Sequence, residues 1–274
     1  MSEPFVDTAN PTAHRSVGQP VGQSVLSGTW RVLFTPLVLA AVCGALAVYL
    51  NAQDLDRQEA PLLTMDVIVR ATWVMIQLVA ISTAIVIAIA VPLGILLTRS
   101  FARWVAPPIL AVANIGQAVP SIGVLALFAV AFGIGREGVL FALVVYCLLS
   151  VLRNTMVGLQ QVDPTLIEAA RGMGMSKLRV LRKVELPLAV PVMLAGIRTA
   201  LIINVGTAIL ATFTLGGAPD GSNGLGYLID VGIRLDRLDT LVLAGGVLTA
   251  VLALLVDWAA GLVEERLRPR GLET

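Results

Sequence analysis

The stretch 163–191, DPTLIEAARGMGMSKLRVLRKVELPLAVP, is polar, basic and glycine-punctuated within a chain that is otherwise strongly apolar. Its residues lay out two short helices. Asp163 can cap the first, Pro164 suits its first position, and Gly172 and Gly174 can end it. Ser176 can cap a second helix, for which Pro187 is the predicted terminator. A helix-turn-helix lying on a water-facing surface is therefore expected. An ordinary interfacial helix has a similar composition, with Leu166, Ile167, Leu178, Val180 and Leu181 toward lipid and the basic side chains toward phosphates.

The flanking sequence shows what this segment interrupts. Hydrophobic residues make up 57% of the 274 and charged residues 14%, with a mean hydropathy of +0.88. That is more apolar surface than a soluble domain can bury, so lipid must solvate much of it. A bilayer core about 30 Å thick takes about 20 apolar residues of helix, and six runs qualify or nearly so: 32–50, 67–97, 105–132, 138–152, 190–214 and 240–262. The fold class is all-α integral membrane, with about six transmembrane helices. Pro92, Pro107, Pro108 and Pro120 are the expected breakpoints of the longer runs.

The chain thus divides into a flexible tail over 1–31, rich in Ser, Gly, Pro, Thr and Gln, then an N-terminal span and external loop over 32–66. A core over 67–262 carries the polar loop at 163–187, and a short tail fills 263–274. The first apolar run starts near Val32, too far in for a usual secretory signal, and is read as a retained anchor. With the N-terminus placed inside, thirteen of the nineteen Lys and Arg fall on cytoplasmic segments, Arg153 and the 171–183 cluster among them. The positive-inside rule then puts both termini in the cytoplasm. Trp30, Trp73, Trp104 and Trp258 fall near span ends, where indole rings anchor at the interface.

Several chemistries are excluded. A formal net charge of +1 offers no field for nucleic acid. Cys43 and Cys147 lie in apolar runs without metal spacing, and the single histidine, His14, sits in the tail, so neither a metal site nor a disulfide is expected. Gly133-Ile-Gly-Arg-Glu-Gly138 spells GxGxxG but comes after an apolar span rather than a strand, and reads as a turn. Neither lysine, Lys177 or Lys183, sits in a phosphate-binding loop, so any ATP and Mg must be held by another subunit. No paired carboxylates or nucleophile with a base suggest catalysis.

Glu168-Ala169-Ala170, then Gly174, then Val184 and Leu186-Pro187 match the EAA loop of bacterial binding-protein-dependent ABC importer permeases in spacing. The resemblance covers about Val67 to Leu262 and implies the core of a type I importer permease with one extra N-terminal span. It implies that Glu168, Ala169, Ala170, Gly174, Leu186 and Pro187 form the contact with an ATP-binding cassette subunit. It also implies a solute-binding protein outside, a second permease subunit, identical or paralogous, and a bacterial cytoplasmic (inner) membrane location. Gln117–Ser121, Gly196–Ala200 and Ile203–Thr207 look like the corresponding runs of osmoprotectant permeases, which import glycine betaine, choline and related quaternary amines. Amino acids or other small polar solutes are the alternative cargo, and an ion-coupled secondary carrier the alternative mechanism. Gly224-Leu-Gly-Tyr227 resembles the family's external segment, although the preceding LGGAPDGSN is expanded.

Asn114, Gln117 and Ser121 recur at i, i+3 and i+7, and are expected on one face of the third span as candidates for the translocation path. Asn204 and Thr207 form a second polar stripe on the fifth. Hydrogen bonding between neighbouring helices would explain the same residues. Arg198, inside the fifth run, is expected to reach the interface or a carboxylate on a neighbouring helix.

Overall fold

A bilayer offers no water to a bare peptide group, so runs this apolar must close their backbone hydrogen bonds within each segment. The structure, a computed structural model, describes residues 28–55, 57–216, 220–235 and 239–267, and all its regular elements are helices. In chain order these are α1 (Gly28–Ala52), α2 (Met65–Leu97), a 3-10 turn (Arg103–Val105), α3 (Ala106–Ala118), α4 (Ser121–Phe132) and α5 (Arg136–Gln160). Next come α6 (Pro164–Gly172), α7 (Lys177–Val180), a π-helical turn (Leu181–Glu185), α8 (Leu186–Leu210), α9 (Thr212–Leu215), α10 (Gly226–Arg234) and α11 (Asp239–Leu267). The tail expectations for His14 and for residues 268–274 lie outside the described residues.

Helices α2, α5 and α8 form the centre. Met75, Leu78, Val86, Leu143, Val151, Leu152 and Val205 are fully buried there. α11 closes the bundle beside α8, and α1 stands at the periphery against α11. The crossing of α5 and α8 is close because Gly196 has no side chain: a Cβ built on it would collide with Cβ of Asn154.

Two span boundaries and one breakpoint need correction: Pro92 lies inside α2 without ending it. The third run breaks at Pro120, as expected, where α3 and α4 meet at a bend of 99°. Val119 is extended, as a residue before proline tends to be, and Pro120 has no N–H to continue the ladder. The pair still amounts to one broken crossing. It starts beside Arg103, which shares a cavity with Glu185 and Arg171, and ends where the Gly135 N–H donates to Thr214 O at 2.9 Å, at the far end of α8 and α9. Six passes result. The chain's described ends, the start of α1 and the end of α11, therefore lie at the end of the bundle that carries α6.

The fourth span is longer than the 138–152 run, because α5 continues through the polar pair Arg153 and Asn154 to Gln160. Arg153, expected in a loop, is an exposed helical residue. The fifth starts well before residue 190: α7, the π turn and α8 run on as one 34-residue helix, Lys177–Leu210. Pro187 thus does not end the second loop helix. It lacks the N–H that would close on Lys183, and the widened turn, in which the Leu186 N–H reaches back to Leu181 O, makes room for its ring.

At the opposite end, Arg70 of α2 meets Asp220 at 2.8 Å and fixes the segment that leads into α10. The hydroxyl and amide of Ser222, and then Arg70, hold the Asp220 carboxyl below its usual range. Since the ionised form is the bonded one, this tie holds at neutral pH and is lost only as pH falls through the lowered value.

The α5–α8 contact is testable. Gly196→Ala is expected to destabilise the fold by about 1–3 kcal/mol, read as a lower melting temperature in detergent. Gly196→Ala/Asn154→Gly, which clears the opposing Cβ, should recover most of the loss.

Candidate functional site

The polar loop forms as its sequence predicts at both caps. Asp163 Oδ1 accepts from the Thr165 N–H at 2.8 Å, and the backbone and side chain of Thr165 hold the Asp163 carboxyl below its ordinary range. Pro164 opens α6, where the N–H it lacks would have no partner. At the other end the Met175 N–H reaches Ala170 O at 3.2 Å and the Gly174 N–H reaches Arg171 O at 2.9 Å. These two bonds make a Schellman cap, whose turning residue must be left-handed, and Gly174 has φ +81°. Ser176 Oγ then accepts from the Arg179 N–H at 3.4 Å to start α7.

The faces of α6 differ sharply. Glu168 and Ala169 are exposed, and Glu168 forms no ion pair or side-chain hydrogen bond among the described residues. Leu166 is 47% exposed and Met173 72% exposed. Leu166, Ala169 and Met173 recur at i, i+3 and i+7, so they line one open apolar stripe with Glu168 at its side. Ala170, by contrast, is 2% exposed and packs inward, toward the chain's own α7 and π turn. Leu166 is an apolar-face residue in the sequence, and the spacing of Met173 from it places both on one stripe.

Leu186 and Pro187 stand away from this stripe, at the junction with α8. Leu186 packs on a small cluster of Leu159, Ala189 and Met193. The neighbouring Glu185 is 5% exposed, and Arg99, just past the end of α2, grips it with two hydrogen bonds, Nη2 to Oε2 at 2.6 Å and Nη1 to Oε1 at 3.3 Å. Nothing in the linear sequence marks this pair. The two residues are far apart along the chain, and each looks like an ordinary loop charge.

The polar residues of the spans are split by the bend. Asn114 and Gln117 belong to α3 and Ser121 begins α4, so the one-face stripe expected of them does not form. Gln117 Nε2 donates to Tyr146 O at 2.9 Å, pinning α3 to α5. Asn114 is exposed. Asn204 is fully buried, and its Nδ2 donates to Ser82 Oγ at 2.7 Å and Thr83 Oγ1 at 3.0 Å on α2. Its Oδ1 is buried with no donor among the described residues. Thr207, one turn on, is also buried. Arg198 meets a carboxylate, as expected: its Nη2 donates to Asp257 Oδ2 at 2.7 Å, and Glu264 lies 3.6 Å from Nη1, joining α8 to α11.

The bundle thus buries a polar tie between its central helices and presents an ordered two-helix loop at one end. Residues 90–269 match the family of binding-protein-dependent transport system inner membrane components. The chain belongs to that family: it is a multi-pass inner-membrane permease subunit of an ABC importer and not itself the ATPase.

Its relatives include the osmoprotectant import permease protein OsmY of Salmonella typhimurium, 43% identical over 71% of this chain and 79% of that protein. The carnitine transport permease protein OpuCD of Listeria monocytogenes is 40% identical over 66% of this chain and 78% of that protein. The choline transport system permease protein OpuBB of Bacillus subtilis is 37% identical over 74% and 89%. Among solved structures, the inward-facing MetNI methionine ABC transporter aligns with a TM-score of 0.65 and 25% identity, over 74% of this chain and 97% of the other.

The Arg99–Glu185 tie yields a prediction. Arg99→Ala leaves a buried carboxylate unpaired and should cost about 3–5 kcal/mol, measured as a fall in thermal midpoint of the purified protein. Arg99→Ala/Glu185→Leu, which removes both charges, should regain most of it.

Proposed function

We propose that this permease carries glycine betaine, choline, carnitine or related quaternary amines into the cytoplasm. The observation that carries the reading is the likeness to permeases named for these solutes, at 37–43% identity over two thirds or more of the chain. Their cargo is small and polar, and the described residues hold neither a catalytic constellation nor an ion-coupling row of carboxylates in the spans. Amino acids are the second candidate cargo, favoured by the methionine transporter among the structural neighbours.

In this reading the open stripe of α6, with Glu168 and Ala169, docks in a groove of an ATP-binding cassette subunit that holds ATP and Mg. The loop end of the bundle faces the cytoplasm, where the basic residues Arg99, Arg103, Arg171 and Lys177 gather. Both termini are then cytoplasmic. A second permease subunit completes the path, and a solute-binding protein delivers cargo to the opposite face. Leu186, Pro187 and the inward Ala170 shape the loop from behind, and Gly174 sets its turn. ATP-driven closure of the motor moves α6, and the spans rock between inward-open and outward-open arrangements.

Within the membrane, Asn204 and Thr207 belong to the path, a reading supported by the unpartnered Oδ1 of a buried amide. Asn114 and Gln117 on one side of the bend and Ser121 on the other are the further candidates for the path.

The test is ATP-dependent uptake of labelled glycine betaine, choline and a small amino acid by vesicles holding the whole assembly with its binding protein. Uptake of the quaternary amines is expected, and amino-acid uptake alone would overturn the cargo. Glu168→Lys should leave the protein in the membrane but reduce co-purification of the ATPase subunit; undiminished recovery would remove Glu168 from the contact. Asn204→Leu should abolish most uptake while assembly persists, and normal uptake would take Asn204 out of the path.

A further inference from the structure

A cavity of about 610 Å3 opens between the end of α2, the turn before α3 and the inner side of the α6–α7 loop. Four cations line it: Arg99, Arg103, Arg171 and Lys177. Arg99 is neutralised by Glu185. The other three are exposed and have no carboxylate partner among the described residues, so they give the open cavity a positive face of about three charges. Such a face attracts an anion.

The geometry points to a phosphate-bearing anionic lipid headgroup as the occupant: we propose that this cavity is a binding site for the headgroup of a phospholipid such as phosphatidylglycerol. Arg103, Arg171 and Lys177 hold the phosphate, with Arg103 and Arg171 able to present two N–H groups each to its oxygens. The aromatic residues beside it favour lipid over a soluble partner. Phe101 lines the cavity and is 67% exposed, and Trp104 in the adjoining turn is 78% exposed. The Trp104 indole N–H is satisfied by Phe101 O at 3.1 Å, which leaves its ring free to sit at headgroup depth. Basic pockets at helix ends with interfacial aromatics are suited to acidic headgroups. The site also has a mechanical position. Its walls include Pro164, Ile167 and Arg171 of α6, on the side away from the exposed stripe, so a bound headgroup touches the loop proposed to couple to the motor.

Only the assignment to the inner leaflet rests on the orientation proposed above. The anion preference itself does not, and a failed uptake assay leaves the lipid measurement unaffected. The experiment places the assembled transporter in nanodiscs mixing phosphatidylglycerol with phosphatidylcholine and counts retained lipids by native mass spectrometry. Enrichment of phosphatidylglycerol is expected, falling by about tenfold in Arg103→Gln/Lys177→Gln, since each cation near a headgroup contributes roughly a severalfold preference. Arg103→Lys/Lys177→Arg should keep it. If the double Gln variant does not assemble, Lys177→Gln alone is scored by the same criterion. A parallel titration with inorganic phosphate separates the sources of anion: phosphate that raises the wild-type melting temperature, with no lipid enrichment, assigns the cavity to a soluble phosphate and overturns the lipid reading. Equal lipid enrichment in wild type and variant overturns the site altogether. Because the whole assembly is used, an ATPase subunit that fills the cavity with its own acidic side chains would register as an absence of enrichment and overturn the lipid reading equally.

Discussion

Every backbone N–H and C=O within the hydrocarbon layer must be bonded inside the protein, and the departures of this chain from a plain bundle are the places where that rule is hardest to meet. At Pro120 the ladder stops, and the chain turns through 99° before a new helix starts. At the π turn the ladder widens instead of stopping, so a helix that contains Pro187 still crosses as one element. The two prolines differ in where the chain must go next. After Pro120 it must reach the opposite end near Thr214, and a broken helix provides the change of direction. After Pro187 it must continue from the loop into the core, and continuity serves better.

That continuity joins the loop to the centre of the bundle. Ser176 caps α7, the π turn carries Glu185, and α8 proceeds to Arg198 and Asn204 without a break in the helical path. Three polar ties then distribute the element's position among its neighbours. Glu185 is held by Arg99 at the end of α2, Arg198 by Asp257 on α11, and Asn204 bonds Ser82 and Thr83 on α2. A displacement of α6 under the proposed docking would thus reach α2 and α11 through hydrogen-bonded pairs as well as apolar packing. Such pairs are directional, and they resist sliding more than a leucine contact does.

Much of this was legible in the sequence because the relevant physics is local. Asp163, Pro164, Gly174 and Ser176 set caps through atoms a few residues away, and hydropathy over about 20 residues finds a span whatever its neighbours. What was not legible is tertiary. The sequence cannot say that Glu185 meets Arg99, that Gly196 is crossed by Asn154, or that Ala170 turns inward while Ala169 does not. In the sequence Arg153 reads as the boundary of the fourth span, because only the fold shows that it is an exposed position on a long helix. Pro120 is legible as a breakpoint, and because it separates Ser121 from Asn114 and Gln117, their i, i+3, i+7 spacing does not make one face.

The opposed fates of Ala169 and Ala170 bear on why the loop carries two small residues side by side. Consecutive helical positions are about 100° apart, and here that turn takes Ala170 inward while Ala169 stays exposed. Ala170 allows α6 to lie close on its own π turn, and Ala169 leaves the gap between Leu166 and Met173 shallow. A larger side chain at 170 would lift the helix away from Glu185 and Arg99. One at 169 would fill the open stripe without disturbing the fold. The same pair of alanines therefore serves two contacts, one within the chain and one beyond it, and only the second depends on the partner's shape.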